Sequence, residues 1–212
     1  MSPLTPGMVA SRCLPPTRLR YTRLEWEQTP LLLGISELGL AVVSLATEPS
    51  QLIRGRSRPW QTIGWIADDA GLVTWRHAMY QWVQQLQGDF PLPLDVRGTP
   101  FQLRVWQLLR EIPRGQVCSY ATVACRLGQP QAVRAVAQAC AANPLALIIP
   151  CHRVVRTDGS LGGYRWGQAR KRWLLQYEAR LAGLPDRTPQ KTKANANPLP
   201  AAINRIRAET PS

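Results

Sequence analysis

The chain has 212 residues, enough for one large domain or two small ones. Five cysteines, an odd number without Cys-x-x-Cys spacing, imply no disulfide framework, and Cys13 alone near the start with His77 far away cannot make a four-ligand zinc site, so no structural metal is expected. The apolar runs fall far short of a membrane span, and the first residues lack the basic start and apolar centre of a signal peptide, so a soluble, cytoplasmic protein with no membrane partner is expected.

The net charge of +13 is concentrated: residues 101–183 hold 12 basic and 3 acidic side chains, whereas 1–100 hold 9 and 8. Such a segment attracts a polyanion, most commonly nucleic acid, unless it is only a solubilising surface. Arginine dominates, which favours phosphate and base-plane contacts.

Residues 1–17 are rich in Pro, Ser and Thr and are expected to form a disordered arm. Arg18 to Glu27, Leu31 to Ile35 and Gly39 to Leu45 read as strands of a small antiparallel sheet. The stretch 49–66 mixes arginines with Gly and Pro and has no assignable periodicity. Leu72, Trp75, Met79, Trp82, Val83 and Leu86 recur at helical spacing, with Gly88 as a C-cap, so this helix should cover the sheet. Phe90 to Val96, interrupted by Pro91 and Pro93, is expected to be an extended connection and not a central strand. A domain boundary is placed near Arg97-Gly98, giving an N-terminal unit over 18–96 and a second over 97–183.

Thr99-Pro100-Phe101-Gln102 carries a capping-box pattern with proline at the first helical position, and an apolar face follows to Ile112. Ser119 to Leu127 and Gln131 to Ala142 read as two helices around the turn at Gly128-Gln129-Pro130, a helix-turn-helix pattern. The second holds Ala132, Val133, Ala135 and further alanines, with Arg134 as its only charge. Its small residues mean either tight packing in the core or close approach to a DNA groove.

Ile148-Ile149-Pro150 then presents Cys151 beside His152. A thiol with a reference pKa near 8.5 is roughly a tenth or less ionised at neutral pH, so a nucleophilic Cys151 needs a neighbour that stabilises its anion. The alternative is an inert buried cysteine after a strand. A glycine-rich stretch, Gly162 to Gly167, is either a pocket lip or a solvent loop. In the last helix, Gln168 to Leu181, Glu178 lies on the apolar stripe of Leu174, Leu175 and Leu181. A carboxylate on a buried face needs a partner, either His152, completing a Cys-His-Glu relay, or a nearby arginine. Residues 184–212 are expected to be a disordered tail.

Phe101-Gln102 with Val105-Trp106, Ile112-Pro113, Ser119-Tyr120, Ala132-Val133-Arg134-Ala135-Val136, Asn143, Pro150-Cys151-His152-Arg153-Val154, Gly163-Tyr164 and Trp173-Leu174-Leu175 with Glu178 resemble the O6-alkylguanine-DNA alkyltransferases, in particular the C-terminal half of bacterial Ada. The likeness spans about 97–183, with a motif-poor continuation over 18–96.

The resemblance implies an α+β fold: a ribonuclease-H-like N-terminal sheet domain followed by a helical, winged-helix-like domain. It implies stoichiometric, suicidal transfer of an alkyl group from guanine O6, and from thymine O4, in double-stranded DNA to Cys151 of a monomer, with no cofactor. His152 and Glu178 would activate the thiol, Asn143 would brace the cysteine turn, and Tyr120 would hydrogen-bond the departing guanine. Arg134, with Ala132, Val133 and Ala135 around it, would enter the duplex and replace the flipped base. Val154, Tyr164, Arg165 and Trp166 would line the base pocket, Arg165 and Trp166 standing where many relatives carry serine and glycine. Ada's zinc-binding phosphotriester domain has no counterpart here, so repair without Ada's gene activation is expected.

Overall fold

A computed structural model describes residues 8–11, 16–46, 48–53 and 62–185. The N-terminal half is a six-stranded mixed sheet in the order β1-β6-β4-β3-β2-β5, from β1 (Met8–Ser11), β2 (Arg18–Trp26), β3 (Thr29–Ser36), β4 (Gly39–Ser44), β5 (Gly64–Ala67) and β6 (Leu94–Arg97). The three strands expected over 18–45 are the antiparallel centre, β2 against β3 and β3 against β4. Glu27 and Gln28 turn the first hairpin, both with positive φ, as a tight two-residue turn requires.

Two expectations are corrected at the sheet margin. The arm expected to be disordered contains β1, whose four residues pair in parallel with β6. The stretch 90–96, expected to be only a connection, ends in β6, which lies between β1 and β4. Pro91 and Pro93 both precede that strand, so neither removes a ladder donor, and the Pro93 carbonyl accepts from Leu40 N at 2.9 Å. Local composition gives no hint of either strand because their partners are distant in the chain. The unassigned stretch 49–66 contributes α1 (Pro49–Ile53) and β5, while 54–61 lie outside the described residues, as do 186–212, where the tail was expected.

Helix α2 (Val73–Val83) packs Met79 and Val83 into the core, with Trp75 and Trp82 partly buried against it. The capping box forms at the start of α3 (Pro100–Arg110): Thr99 Oγ1 accepts from Gln102 N and the Gln102 side chain accepts from Thr99 N. Helices α4 (Tyr120–Arg126) and α5 (Val133–Ala142) follow, then a 3-10 turn (Cys151–Arg153) and α6 (Gln168–Leu181). Short strands β7 (Cys118–Ser119) and β8 (Val154–Val155) pair in parallel and tie the 3-10 turn at Cys151 to the start of α4. One apolar core runs through both halves, from Leu31 and Val43 to Trp106, Val136 and Leu174. No helix among the described residues is long and apolar enough to cross a membrane.

Candidate active site

The turn that presents Cys151 is built from two sides. Helix α5 ends at Asn143, whose Oδ1 accepts from Leu145 N at 2.9 Å while Nδ2 donates to Ile149 O at 2.8 Å and to Cys151 Sγ at 3.2 Å. One buried amide therefore closes the loop 143–151 and touches the thiol at its end. Pro150 turns the chain, and Cys151 opens the 3-10 turn only 5% exposed.

Behind the thiol, His152 and Glu178 are fully buried, with His152 Nε2 2.7 Å from Glu178 Oε1. Arg153 grips the same carboxylate through Nε, at 3.1 and 3.0 Å, and through Nη2, at 2.8 Å. Both partners weighed for Glu178 are thus present at once. Burial alone would raise the Glu178 carboxyl, but the charge and hydrogen bonds of His152 and Arg153 outweigh it and bring its pKa to about 2. Burial pushes the His152 imidazole below its ordinary value, against the pull of Glu178. Since the guanidinium already neutralises the carboxylate, a neutral imidazole is the consistent state. Nε2 then carries the hydrogen given to Glu178, and Nδ1 is a lone pair with no protein partner among the described residues.

Burial also raises the Cys151 thiol above its ordinary value, opposed by the Asn143 hydrogen bond and the charge of Lys171. Lys171 went unnoticed in the sequence although its spacing, seven before Glu178 on the same apolar face, carried the same signal. It is fully buried, and Nζ donates to Val154 O and Leu161 O, both at 2.5 Å, and sits 5.8 Å from the Tyr120 ring centroid. Burial lowers its pKa to about 8.

A cavity of about 320 Å³ opens over the sulfur, lined by Tyr120, Cys140, Asn143, Tyr164, Arg165 and Trp166 among others. Burial raises the Tyr120 hydroxyl to about 12, so it stays a hydrogen-bond donor. Gly162, at φ +66°, lies against that ring: a Cβ there would come within 3.2 Å of Tyr120 Cε2 and Oη. Trp166 packs edge-on to Tyr164, with centroids 5.1 Å apart, and its Nε1 donates to Ser44 Oγ at 3.0 Å. Among the described residues no three His, Cys, Asp or Glu side chains cluster as a metal site.

Comparison with known proteins matches residues 100–180 to the family described as 6-O-methylguanine DNA methyltransferase, DNA binding domain. The inducible methylated-DNA–protein-cysteine methyltransferase of Bacillus subtilis is 41% identical over 121 residues, which cover 57% of this chain and 68% of that protein. The chain belongs to this methyltransferase family.

The bifunctional transcriptional activator and DNA repair enzyme Ada of Escherichia coli is 46% identical over 165 residues, 76% of this chain; the chain spans only 46% of Ada's length. The crystal structure of Mycobacterium tuberculosis OGT in complex with DNA aligns with a TM-score of 0.62 at 33% identity, covering 79% of this chain and 96% of that one. The mixed α+β architecture is shared with these methyltransferase structures.

Within that family frame, the described geometry bonds Asn143 to Cys151 and, at the next residue, His152 to Glu178, and places Tyr120, Tyr164, Arg165 and Trp166 around one cavity. Val154 is buried, its carbonyl engaged by Lys171. Arg134 stands apart, exposed on α5, with Ala132, Val133 and Ala135 half-buried beside it. Helix α5 turns Val136, Ala139 and Cys140 into the core, where Ala139 O accepts from Trp106 Nε1 at 2.8 Å. The small residues therefore serve close packing on one face, and the face with Arg134 stays open.

Proposed function

We propose that the chain repairs double-stranded DNA by moving a methyl or other alkyl group from guanine O6, and from thymine O4, onto Cys151, once per molecule and as a monomer without a cofactor. The observation that carries this reading is the Asn143–Cys151 pair in the wall of a cavity large enough for a flipped base, with His152 and Arg153, the next two residues, buried and bonded to the buried Glu178. The names of the relatives and the +9 segment around the site support it.

The steps follow from the chemistry of the groups. The lesion's O6 substituent is hidden in the stack, so the base must leave the duplex, at a cost of a few kcal/mol. Arg134, exposed at the N-terminal end of α5, is placed to enter the gap while Ala132, Val133 and Ala135 let the helix approach the backbone closely. In the pocket, Tyr164 and Trp166 flank the base and Tyr120 donates to it. The Cys151 proton passes, directly or through a water, to His152 Nδ1, and Glu178 stabilises the imidazolium that forms. The thiolate, braced by Asn143 and facing the Lys171 charge, displaces guanine from the alkyl carbon. The Val154 carbonyl keeps its second lone pair for the base after bonding Lys171.

We also propose a ribonuclease-H-like unit over 18–96, and over 97–183 a winged-helix-like unit with α4 and α5 as its helix-turn-helix. The β7–β8 pair beside those helices supports a wing.

Stoichiometry tests the reading. Incubation with excess O6-methylguanine duplex is expected to place at most one methyl per chain, found by peptide mass analysis as a thioether on Cys151, and Cys151→Ala should transfer none while still binding the duplex. Repeated turnover, or a methyl on Cys118, Cys125 or Cys140 instead, would overturn it.

A further inference from the structure

The cavity over Cys151 has a charge that methyl transfer does not use. Its walls hold one cation, Arg165, and no acid. By accessible surface Arg165 is exposed, yet enough protein crowds the guanidinium for lost solvation to lower its pKa, and the Cys151 sulfur is the charge it responds to. It lines the same cavity as Cys151 and stands at its solvent-exposed rim. Among the described residues nothing accepts a hydrogen bond from it or pairs with it, unlike Arg153, which is held by Glu178 and two carbonyls. The neighbouring walls, Ala137, Ala141 and the rings of Tyr164 and Trp166, offer a substituent only apolar contact.

We propose that Arg165 is a specificity-determining residue that favours O6 substituents bearing a carboxylate, with O6-carboxymethylguanine as the simplest case. This rests on the alkyl-transfer reading above and names its substrate class. A methyl group gains nothing from a guanidinium. A carboxylate one bond beyond the reacting carbon would otherwise be repelled by the thiolate that must attack that carbon; a planar, unpaired guanidinium at the rim can hold both carboxylate oxygens and screen that repulsion. In the step itself the Cys151 sulfur bonds to the methylene carbon and the carbon–O6 bond breaks. Its electron pair goes to guanine, which takes a proton as it becomes the normal base, and S-carboxymethylcysteine remains on the chain.

The test compares single-turnover rates on three duplexes that differ only in the O6 group: methyl, carboxymethyl, and carbamoylmethyl as the neutral isostere. The ratio of carboxymethyl to carbamoylmethyl rates is taken within each protein, so losses of folded protein, DNA affinity or thiol reactivity cancel. Arg165→Gln is expected to lower that ratio about fivefold, the weight of one partly exposed charge pair, and Arg165→Lys to lower it less. A ratio unchanged by Arg165→Gln would overturn the proposal, because Arg165 would then act on the DNA backbone or on the thiol alone. A wild-type protein that accepts methyl and refuses carboxymethyl would also overturn it while leaving alkyl transfer intact. Failure to transfer methyl would instead defeat the functional reading beneath it.

Discussion

At the scale of single residues, the site turns on how one carboxylate is shared. Glu178 is held by a permanent cation and by an imidazole, so its charge is already matched within the protein. The same pairing links stability to acid. Its folded pKa of about 2 lies below the ordinary 4.5, so its contribution is fully present above pH 4.5 and is lost as pH falls towards 2. The shift corresponds to on the order of 3 kcal/mol. Denaturant unfolding of the wild type and Glu178→Gln should therefore give stabilities that differ most above pH 5 and converge as pH falls to 2; a constant difference would mean that Glu178 does not titrate with folding. In transfer assays at neutral pH the same variant is expected to bind duplex and react more slowly, because His152 loses the anion that stabilises its charged form. Lys171 is the residue the sequence shows least readily. By residue type it looks like one more basic side chain; its spacing on the apolar face is the one hint, and the bonds from Nζ to the carbonyls of Val154 and Leu161 set it apart from solvated neighbours such as Arg172.

At the scale of elements, α5 divides its two faces between core and surface, and that division yields a separable prediction. Val136 and Ala139 pack against α3, whereas Arg134 is exposed. Arg134→Ala should therefore leave thermal stability nearly unchanged and slow repair in duplex much more than reaction with free O6-methylguanine, since only the duplex has a gap to fill. Equal losses on both substrates would remove the gap-filling role. Duplex affinity should also fall with salt, the slope of log K against log salt gaining about 0.9 for each phosphate neutralised; a flat response would refute a phosphate-binding surface. The helices α2 to α6 were legible in the sequence because they carry their own signals, such as the Thr99–Gln102 capping box, the Gly128 turn and the apolar face of α6, whereas the five-residue α1 carries none. Also legible were β3 and β4, apolar runs joined by a short turn, and β2 ahead of them. Strands β1 and β6 were not, because four residues become a strand only when a partner from the far side of the chain supplies the hydrogen bonds. The acceptor cluster was half legible. Cys151, His152, Asn143 and Glu178 stand out by residue type and position, but Arg153 closing on Glu178 while reaching Ile112 O and Leu86 O is a tertiary fact.

At the scale of the whole molecule, the sheet half and the site half are joined at the site itself. Val43 bridges to Leu145 just ahead of the turn at Cys151, with Val43 N donating to Pro144 O and Val43 O accepting from Ala146 N, both at 3.0 Å. Trp166 reaches Ser44, Arg170 reaches Leu45 O, and Arg153 and Arg114 reach the carbonyls of Leu86 and Gln85. With one apolar core running through both halves, neither can open without exposing the other. Calorimetry should accordingly record one transition whose calorimetric and van't Hoff enthalpies agree; two resolved transitions would mean that the halves are separate folding units. Trp166 stands on this seam and on the pocket wall together, so its replacement should move two measurements. Trp166→Gly is expected to raise the rate with O6-benzylguanine relative to O6-methylguanine, by removing an indole from the cavity. It should also lower the melting temperature, because the ring's packing on Tyr164 and its bond to Ser44 are both lost. Ser44→Ala removes the bond and leaves the ring, so it should lower stability by about 1 kcal/mol and leave the benzyl-to-methyl ratio where it was. If Ser44→Ala alone shifted that ratio, the Ser44 bond would set where the indole stands over the substrate, and the sheet would share in choosing which alkyl groups reach Cys151.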